Sequence, residues 1–302
     1  MTAGPAPTLS VVVIVRNPDE TPDKVLQALQ QQRSGSDVEV ILVDGRPGPV
    51  PLRDAQYTDL KIIEAPNQNM PHLKAIGFEA SQGDTVAFLE PKGVPDKGWL
   101  EALFGAIRDK PDAAIGGSVL FSGHTRAINQ AAFLFEYGGF SPEELWAGTA
   151  TDLSGNNMAV PRKQFADICG DILRREGLNK PFCQQRLVEN GVRIAMVPEM
   201  RINLETDHRV RGFLGSRFQY ARCFGGTRIQ EAPLSRKIAY FAGSVLVPFL
   251  VVARRLNGAR RTKGVPLTLP VAGMTVLICL TWAAGEIAGY WFGRGAACSR
   301  LY

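Results

Sequence analysis

An alternation of short apolar runs with amphipathic stretches in the first 110 residues most limits what this chain can fold into. Residues 11–15, 38–43 and 86–89 are mostly apolar, which is typical of buried strands. Helical patterns lie between them, as in residues 23–32. Strands and helices at this spacing predict an α/β domain with a mainly parallel sheet and helices on both faces.

The apolar run at residues 86–89 ends at an acid, Glu90, which is followed by the breakers Pro91 and Gly93. An open α/β sheet presents a carboxylate at its ligand-binding edge in this way, with a strand that ends in an acid beside a loop. The alternative interpretation is a strand, a turn and a helix with one solvated glutamate.

Composition limits the class of protein. The 302 residues are 45% hydrophobic and 21% charged, which is typical of a globular chain. The net charge of +5 is mild and does not indicate nucleic-acid binding. The five cysteines are scattered and form no Cys-x-x-Cys pair, so we expect reduced thiols in a cytosolic setting and no zinc site. The N-terminus does not resemble a signal peptide.

Several segments resemble the nucleotide-sugar-binding half of family 2 glycosyltransferases, which have the GT-A fold. They are LSVVVIVRN, VEVILVDG and AFLEPKGVPDKGWLEAL. LSGNNMAVPRKQF is similar to the family's acceptor-side strand and turn, and GVRIAMVPEMRINLE to its late strand. The resemblance covers residues 9–225 and implies a GT-A domain over residues 1–229. It also implies that a nucleotide-diphosphate sugar binds in a groove at the strand ends.

Four residues outside the Glu90-Pro91-Lys92 stretch match donor-binding positions of the family or lie near them. Asp44 matches the acid that holds the base or ribose, and a carboxylate there can accept hydrogen bonds from NH or OH donors. Asp44 could instead only cap the turn before Gly45. Arg16 and Asn17 lie in the loop that faces the nucleotide. Lys74 could reach a phosphate as a point charge, or lie on a solvated helix face.

The family usually has Asp-x-Asp where this chain has Glu90-Pro91-Lys92. In the family those two acids bind Mg or Mn, which bridges the diphosphate. Glu90 keeps one oxygen ligand, but a single carboxylate makes a poor site for a hard cation. A divalent cation is therefore a doubtful expectation. Lys92 could neutralise the phosphate directly, or it could mark a site that has lost catalysis.

The family's general base, an acid before the late strand, is also missing. Its positions fall on Asn179 and Lys180, and neither is a carboxylate. The family's histidine falls four residues before His208. A base must come within hydrogen-bond reach of its proton. The weak candidates for catalytic groups are Glu90, Asp171, Glu176 and His208.

Gly155, Asn156 and Asn157 match the acceptor side of the family's site. Small and amide residues there allow the acceptor to approach the donor closely. Alternatively, these residues form a turn in which asparagine suits the backbone conformation.

Basic and aromatic residues interleave over residues 208–224. This pattern suits a membrane surface or a lipid-phosphate acceptor. It also fits a helix that packs its aromatics on the domain and leaves its arginines in water. A nucleic-acid groove ranks lower, because no helix-turn-helix or RNA-binding signature accompanies the pattern.

Two apolar segments follow, residues 238–253 and 267–285. A membrane span needs about 20 residues, so the second qualifies and the first, which contains Pro248, is marginal. If the first crossed, the basic residues 254–263 would lie outside, against the positive-inside tendency. We therefore expect the first segment to lie at the interface or re-enter, and residues 230–302 to be membrane-associated. Two buried helices of a soluble domain are the alternative.

The sequence as a whole predicts an inverting, hexosyltransferase-like enzyme at the cytosolic face of the inner membrane. It would move a sugar from a nucleotide-diphosphate donor to a lipid-linked or cell-surface glycan acceptor, in polysaccharide biosynthesis. The alternative is a catalytically impaired GT-A homologue that acts as a binding or partner subunit of a glycan-synthesis complex. The replaced motif acids favour the second hypothesis, and the retained Asp44 and Glu90 favour the first.

Overall fold

The computed structural model describes residues 8–33, 37–48, 60–146, 148, 151–230 and 232–300. The chain divides into two compact units. The first comprises Met1–Leu120 and Phe140–Glu205, and the second comprises Phe121–Gly139 and Thr206–Tyr302. The domain boundary expected at residue 229 stays a prediction. The division into compact units shows which helices pack together, but it does not show which helices contribute to the functional site.

The strands are β1 (Leu9–Val15), β2 (Val38–Asp44), β3 (Leu60–Glu64), β4 (Thr85–Leu89), β5 (Gly93–Pro95), β6 (Ala114–Phe121), β7 (Asn157–Pro161) and β8 (Ile194–Leu204). The helices are α1 (Asp23–Gln32), α2 (Met70–Ala80), α3 (Trp99–Asp109), α4 (Ala127–Glu136), α5 (Pro142–Trp146), α6 (Arg162–Glu176), α7 (Lys180–Glu189), α8 (Val210–Gln230), α9 (Leu234–Gly243), α10 (Val247–Ala259) and α11 (Leu269–Phe292).

The first unit contains one sheet with the strand order β3-β2-β1-β4-β7-β6-β8-β5. Its first four strands pair in parallel, as the strand–helix alternation predicts. β7 is antiparallel to β4 and β6, and β5 is antiparallel to β8, so the sheet as a whole is mixed. Helices lie on both faces.

The register places the ends of the parallel strands together. Val15 of β1 pairs with Asp44 of β2, and Val13 of β1 pairs with Leu89 of β4. Asp44 and Glu90, the residue after Leu89, therefore lie on either side of the end of β1. This is the carboxyl edge, where open α/β sheets bind ligands.

Close packing of α2 on β1 fixes the helix that carries Lys74. Every residue of β1 is buried, and Val12, Leu73 and Phe78 belong to one hydrophobic cluster. At Gly77 an added Cβ would lie 2.3 Å from Val12 Cγ1. Glycine therefore lets the helix approach the sheet closely.

In the second unit, α8 and α11 pack through glycines. An added Cβ at Gly285 would lie 2.4 Å from the carbonyl oxygen of Phe218, and one at Gly289 would lie 2.5 Å from that of Arg222. Small residues at both positions allow the backbones to approach closely. The contacts advance in the same direction along both helices, so this part of α8 runs parallel to α11.

The segment formed by α9 and α10 runs in the opposite direction along α11. The Tyr240 and Tyr290 rings stack with centroids 5.3 Å apart, and Val251 O lies 4.0 Å from Cys279 Sγ. Two described stretches, Leu234–Ala259 and Leu269–Phe292, are long and apolar enough to cross a membrane. The exposed apolar side chains of the first stretch include Leu234, Ile238, Val245, Phe249 and Leu250.

The prediction that all the cysteines are reduced is wrong for two of them. Cys223 of α8 and Cys298, beyond the end of α11, form a disulfide. The two are 75 residues apart in sequence, and the parallel packing of α8 on α11 brings them together. Cys169, Cys183 and Cys279 are free thiols and buried.

Candidate functional site at the strand ends

Asp44 at the end of β2 is held by an arginine that sequence reasoning missed. The Asp44 side chain is 1% exposed, and the Arg46 guanidinium donates to both of its carboxylate oxygens at 2.6–3.1 Å. This hydrogen bonding raises the pKa of Arg46 above its usual value. The sequence signal was Asp-x-Arg after a strand, a spacing that lets one fork-shaped side chain fold back onto the acid.

Glu20 connects this pair to Lys92. Its carboxylate accepts from Asn17 Nδ2 at 2.6 Å and lies 3.0 Å from Lys92 Nζ, while its backbone oxygen accepts from Arg46 Nη1 at 2.9 Å. Burial raises the pKa of Glu20, but Lys92 and Asn17 outweigh it and lower the pKa overall. Glu20 is therefore ionised at neutral pH, and Lys92 already has an anionic partner.

Lys74 and Glu90 form the third ion pair. Lys74 Nζ donates to Glu90 Oε1 at 2.9 Å and to the Gly155 carbonyl at 2.7 Å. The Lys74 side chain is 8% exposed and that of Glu90 is 26% exposed, so the alternative of a solvated Lys74 is wrong. The contact brings Lys74, Glu90 and Gly155 together, although they come from three separate stretches of sequence.

These three ion pairs form one group, which we call the strand-end cluster. Its members are Glu20, Asp44, Arg46, Lys74, Glu90 and Lys92. Three carboxylates face three cationic groups, so the formal charges of the cluster cancel. Beside it, Arg16 Nε donates to the Gln68 carbonyl at 3.2 Å.

The described residues do not fit a divalent cation. No group of three or more His, Cys, Asp and Glu side chains within the described ranges could hold a metal ion. Glu90, the one predicted ligand, is instead in contact with the Lys74 ammonium. Hard cations need several oxygen ligands, and here the nearest carboxylates already have cationic partners.

On the acceptor side the structure separates the three predicted residues. Asn157 is fully buried, accepts from Trp99 Nε1 at 2.9 Å and donates to the carbonyls of Ser118 and Met200. Its amide therefore holds strands and α3 together. Asn156 accepts from a serine hydroxyl at 2.6 Å, and its buried Nδ2 has no hydrogen-bond partner in the described part of the chain.

The other candidate catalytic groups lie in different surroundings. The Asp171 carboxylate faces Arg186 at 3.4 Å and Arg175 at 4.0 Å. Desolvation raises the pKa of Asp171, but the positive charge of Arg186 and backbone hydrogen bonds outweigh it and lower that pKa overall. Glu176 is the last residue of α6. His208 belongs to the second unit, where its ring packs on Phe213.

Sequence reasoning also missed a carboxylate at the start of α7, where the family's base was expected. Asp152 Oδ1 lies 2.8 Å from Lys180 Nζ. Asp152 comes three residues before Gly155, from a loop rather than from the helix itself. The folded chain brings this loop acid to the first turn of α7, which has no acidic residue of its own.

Comparisons with known proteins identify the family and the fold. The profile of the family described as Glycosyl transferase family 2 matches residues 10–169, more than half of the chain. Among solved structures, the chain is similar to "Mannosyltransferase PcManGT from Pyrobaculum calidifontis in complex with GDP-Man and Mn2+", with a TM-score of 0.56 and 14% identity. That match covers 95% of this chain and 88% of the other.

A second solved structure is "GalNAc-T7 with UDP, GalNAc and Mn2+", with a TM-score of 0.45, 12% identity and coverage of 68% and 45%. That score is too low to support an argument. No curated protein is similar enough to count as a match. The fold is GT-A-like, with a mixed sheet, helices on both sides and apolar C-terminal helices. The chain belongs to glycosyl transferase family 2.

Proposed function

We propose that the chain is a membrane-attached glycosyltransferase that takes a sugar from a nucleotide-diphosphate donor. The acceptor we propose is a lipid-linked or cell-surface glycan, and the reaction inverts the anomeric carbon. The observation that carries the proposal is the strand-end cluster. It gathers lysines and acids at the carboxyl edge of four parallel strands, in a chain of this family.

In this proposal each part of the cluster has a role. The Asp44–Arg46 pair contacts the nucleoside, with Arg16 and Asn17 in the neighbouring loop. Lys74 and Lys92 bind the diphosphate. Gly155 and Asn156 line the side from which the acceptor approaches. The acceptor hydroxyl attacks the anomeric carbon and gives its proton to solvent as the bond to the nucleoside diphosphate breaks. The lysines stabilise the charge that develops on the leaving group.

The transfer is tested with the full chain reconstituted in lipid vesicles and a panel of labelled nucleotide-diphosphate hexoses. We expect release of nucleoside diphosphate and labelled sugar in the lipid or glycan fraction, both dependent on added acceptor. Binding of a donor without release would instead favour the partner-subunit role. Neither binding nor release with any donor would exclude the proposed function.

We also propose that the segment of residues 230–302 attaches the domain to the inner membrane, with the transferase domain cytosolic. The support is the apolar surface of α9 and α10, where Leu250 is 64% and Phe249 71% exposed. Exposed apolar patches of this kind mark membrane or protein contacts. Arg254, Arg260 and Arg261 follow that surface, as expected for contact with anionic lipid headgroups.

Leu250→Cys in open membrane fragments should react with a water-soluble maleimide at least about tenfold more slowly than Ile62→Cys, because lipid excludes the reagent from apolar depth. Ile62 is a matched control, since it is apolar and 43% exposed in the first unit. Equal labelling of the two cysteines would contradict burial of α10 in lipid.

A further inference from the structure

The Lys74–Glu90 ion pair suggests how the donor binds. We propose that the Glu90 carboxylate occupies, in the free protein, the place that a phosphate of the donor takes on Lys74. Binding is then an exchange of anions on one lysine, and it needs no divalent cation. This inference rests on the proposed function, because it assumes that the strand-end cluster binds a nucleoside diphosphate.

The lysine is the fixed partner of this pair. Lys74 is 8% exposed on a helix packed closely against β1, and the Gly155 carbonyl also holds its ammonium, at 2.7 Å. An ammonium group needs anionic or polar oxygens around it. A phosphate oxygen satisfies the same requirement as a carboxylate oxygen.

The carboxylate is the partner that can move. Glu90 is 26% exposed and lies just after β4, at the start of a turn. Glu90 can return to water when it leaves Lys74, and the incoming phosphate replaces its negative charge beside the buried ammonium. Lys92 is the second lysine available to an incoming anion, because it is 40% exposed while its partner Glu20 is 9% exposed.

A metal at Glu90 conflicts with this arrangement. Divalent cations lie about 2.0–2.6 Å from their carboxylate ligands. The Lys74 ammonium is 2.9 Å from the same carboxylate. A divalent cation bound to Glu90 would lie next to the buried Lys74 ammonium. Like charges repel strongly in a poorly solvated site. The lysines provide the positive charge that the family's cation would bring.

The two roles of Glu90 predict opposite signs for one substitution. If Glu90 were a metal ligand, Glu90→Gln would weaken nucleoside diphosphate binding. It would also reduce the effect of manganese on that binding. If Glu90 competes with the ligand, Glu90→Gln frees Lys74 and strengthens binding. If Lys74 is free of Glu90 in about a tenth of the molecules, then Glu90→Gln makes Lys74 available in all of them. The apparent affinity for the nucleoside diphosphate then rises about tenfold.

Calorimetric titration of the full chain with UDP and with GDP, each in chelator and in manganese, tests the inference. For the wild type we expect dissociation constants that agree within about twofold with and without manganese. For Glu90→Gln we expect about tenfold tighter binding in chelator. Glu79→Gln is the matched control, because Glu79 is an exposed acid on the same helix as Lys74, and it should leave binding unchanged.

Weaker binding by Glu90→Gln, or wild-type binding that appears only with manganese, would overturn the anion exchange while leaving the proposed donor site intact. Equal tightening by Glu90→Gln and Glu79→Gln would also overturn it, since a general change in charge would then explain the effect. Failure of the wild type and Glu90→Gln to bind either nucleotide would overturn the donor site itself. The manganese comparison on the wild type does not depend on whether a variant folds.

Discussion

Lys74→Met is expected to weaken nucleoside diphosphate binding by about 10- to 100-fold and to lower sugar transfer correspondingly. Methionine keeps much of the length and apolar stem of lysine, so α2 can still pack on β1, but it cannot donate to a phosphate. A hydrogen bond to a charged group contributes about 1.5–3 kcal/mol, and each 1.4 kcal/mol is about tenfold in affinity. Titration with the nucleotide and the rate of nucleotide release measure the two effects.

The controls separate the charge of Lys74 from charge in general. Lys97→Met removes a lysine that is exposed before α3, and it should change the dissociation constant by less than about twofold, as for a distant screened charge. Lys74→Arg keeps the charge and should retain part of the binding. A Lys74→Met variant that binds and turns over like the wild type would remove Lys74 from the donor site.

Arg46→Met is expected to have the largest effect on stability, lowering the free energy of unfolding by about 3–5 kcal/mol, as for breaking a buried ion pair. Asp44 is 1% exposed and would lose most of its fork of hydrogen bonds. The carboxylate cannot recover water without opening the end of β2. Urea unfolding of the full chain in detergent, followed by circular dichroism, measures the change.

Two further variants test the cause of this loss. In Arg46→Met with Asp44→Asn no buried charge lacks a partner, so part of the stability should return. Arg193→Met removes an exposed arginine of the first unit and should change the free energy of unfolding by less than about 0.5 kcal/mol. If Arg46→Met behaved like Arg193→Met, the Asp44–Arg46 pair would not stabilise the strand end.

Much of the first unit could be predicted because its signals are local. The runs at residues 11–15 and 38–43 lie within β1 and β2, since a buried strand shows directly in apolar composition. The position of Asp44 and Glu90 at one edge followed from the parallel order of the strands. The mixed second half of the sheet, where β7 runs antiparallel between β4 and β6, has no comparable local signal.

The partners of the charged groups could not be predicted in the same way. Lys74 meets Glu90 and Gly155 through packing between distant segments, and nothing in the spacing of these residues shows it. The same holds for Asp152 and Lys180, 28 residues apart, and for the disulfide. Arg46 lies two residues after Asp44, and this partner was missed although its spacing in the sequence could have indicated it.

The parallel packing of α8 on α11 has a topological consequence for the proposed membrane attachment. This packing lets the Cys223–Cys298 bond close a covalent loop of the chain that contains both apolar stretches, Leu234–Ala259 and Leu269–Phe292. A crosslink between residues 75 apart restricts the unfolded chain, so this bond keeps α8 tied to the residues that follow α11 whether or not lipid covers the apolar stretches.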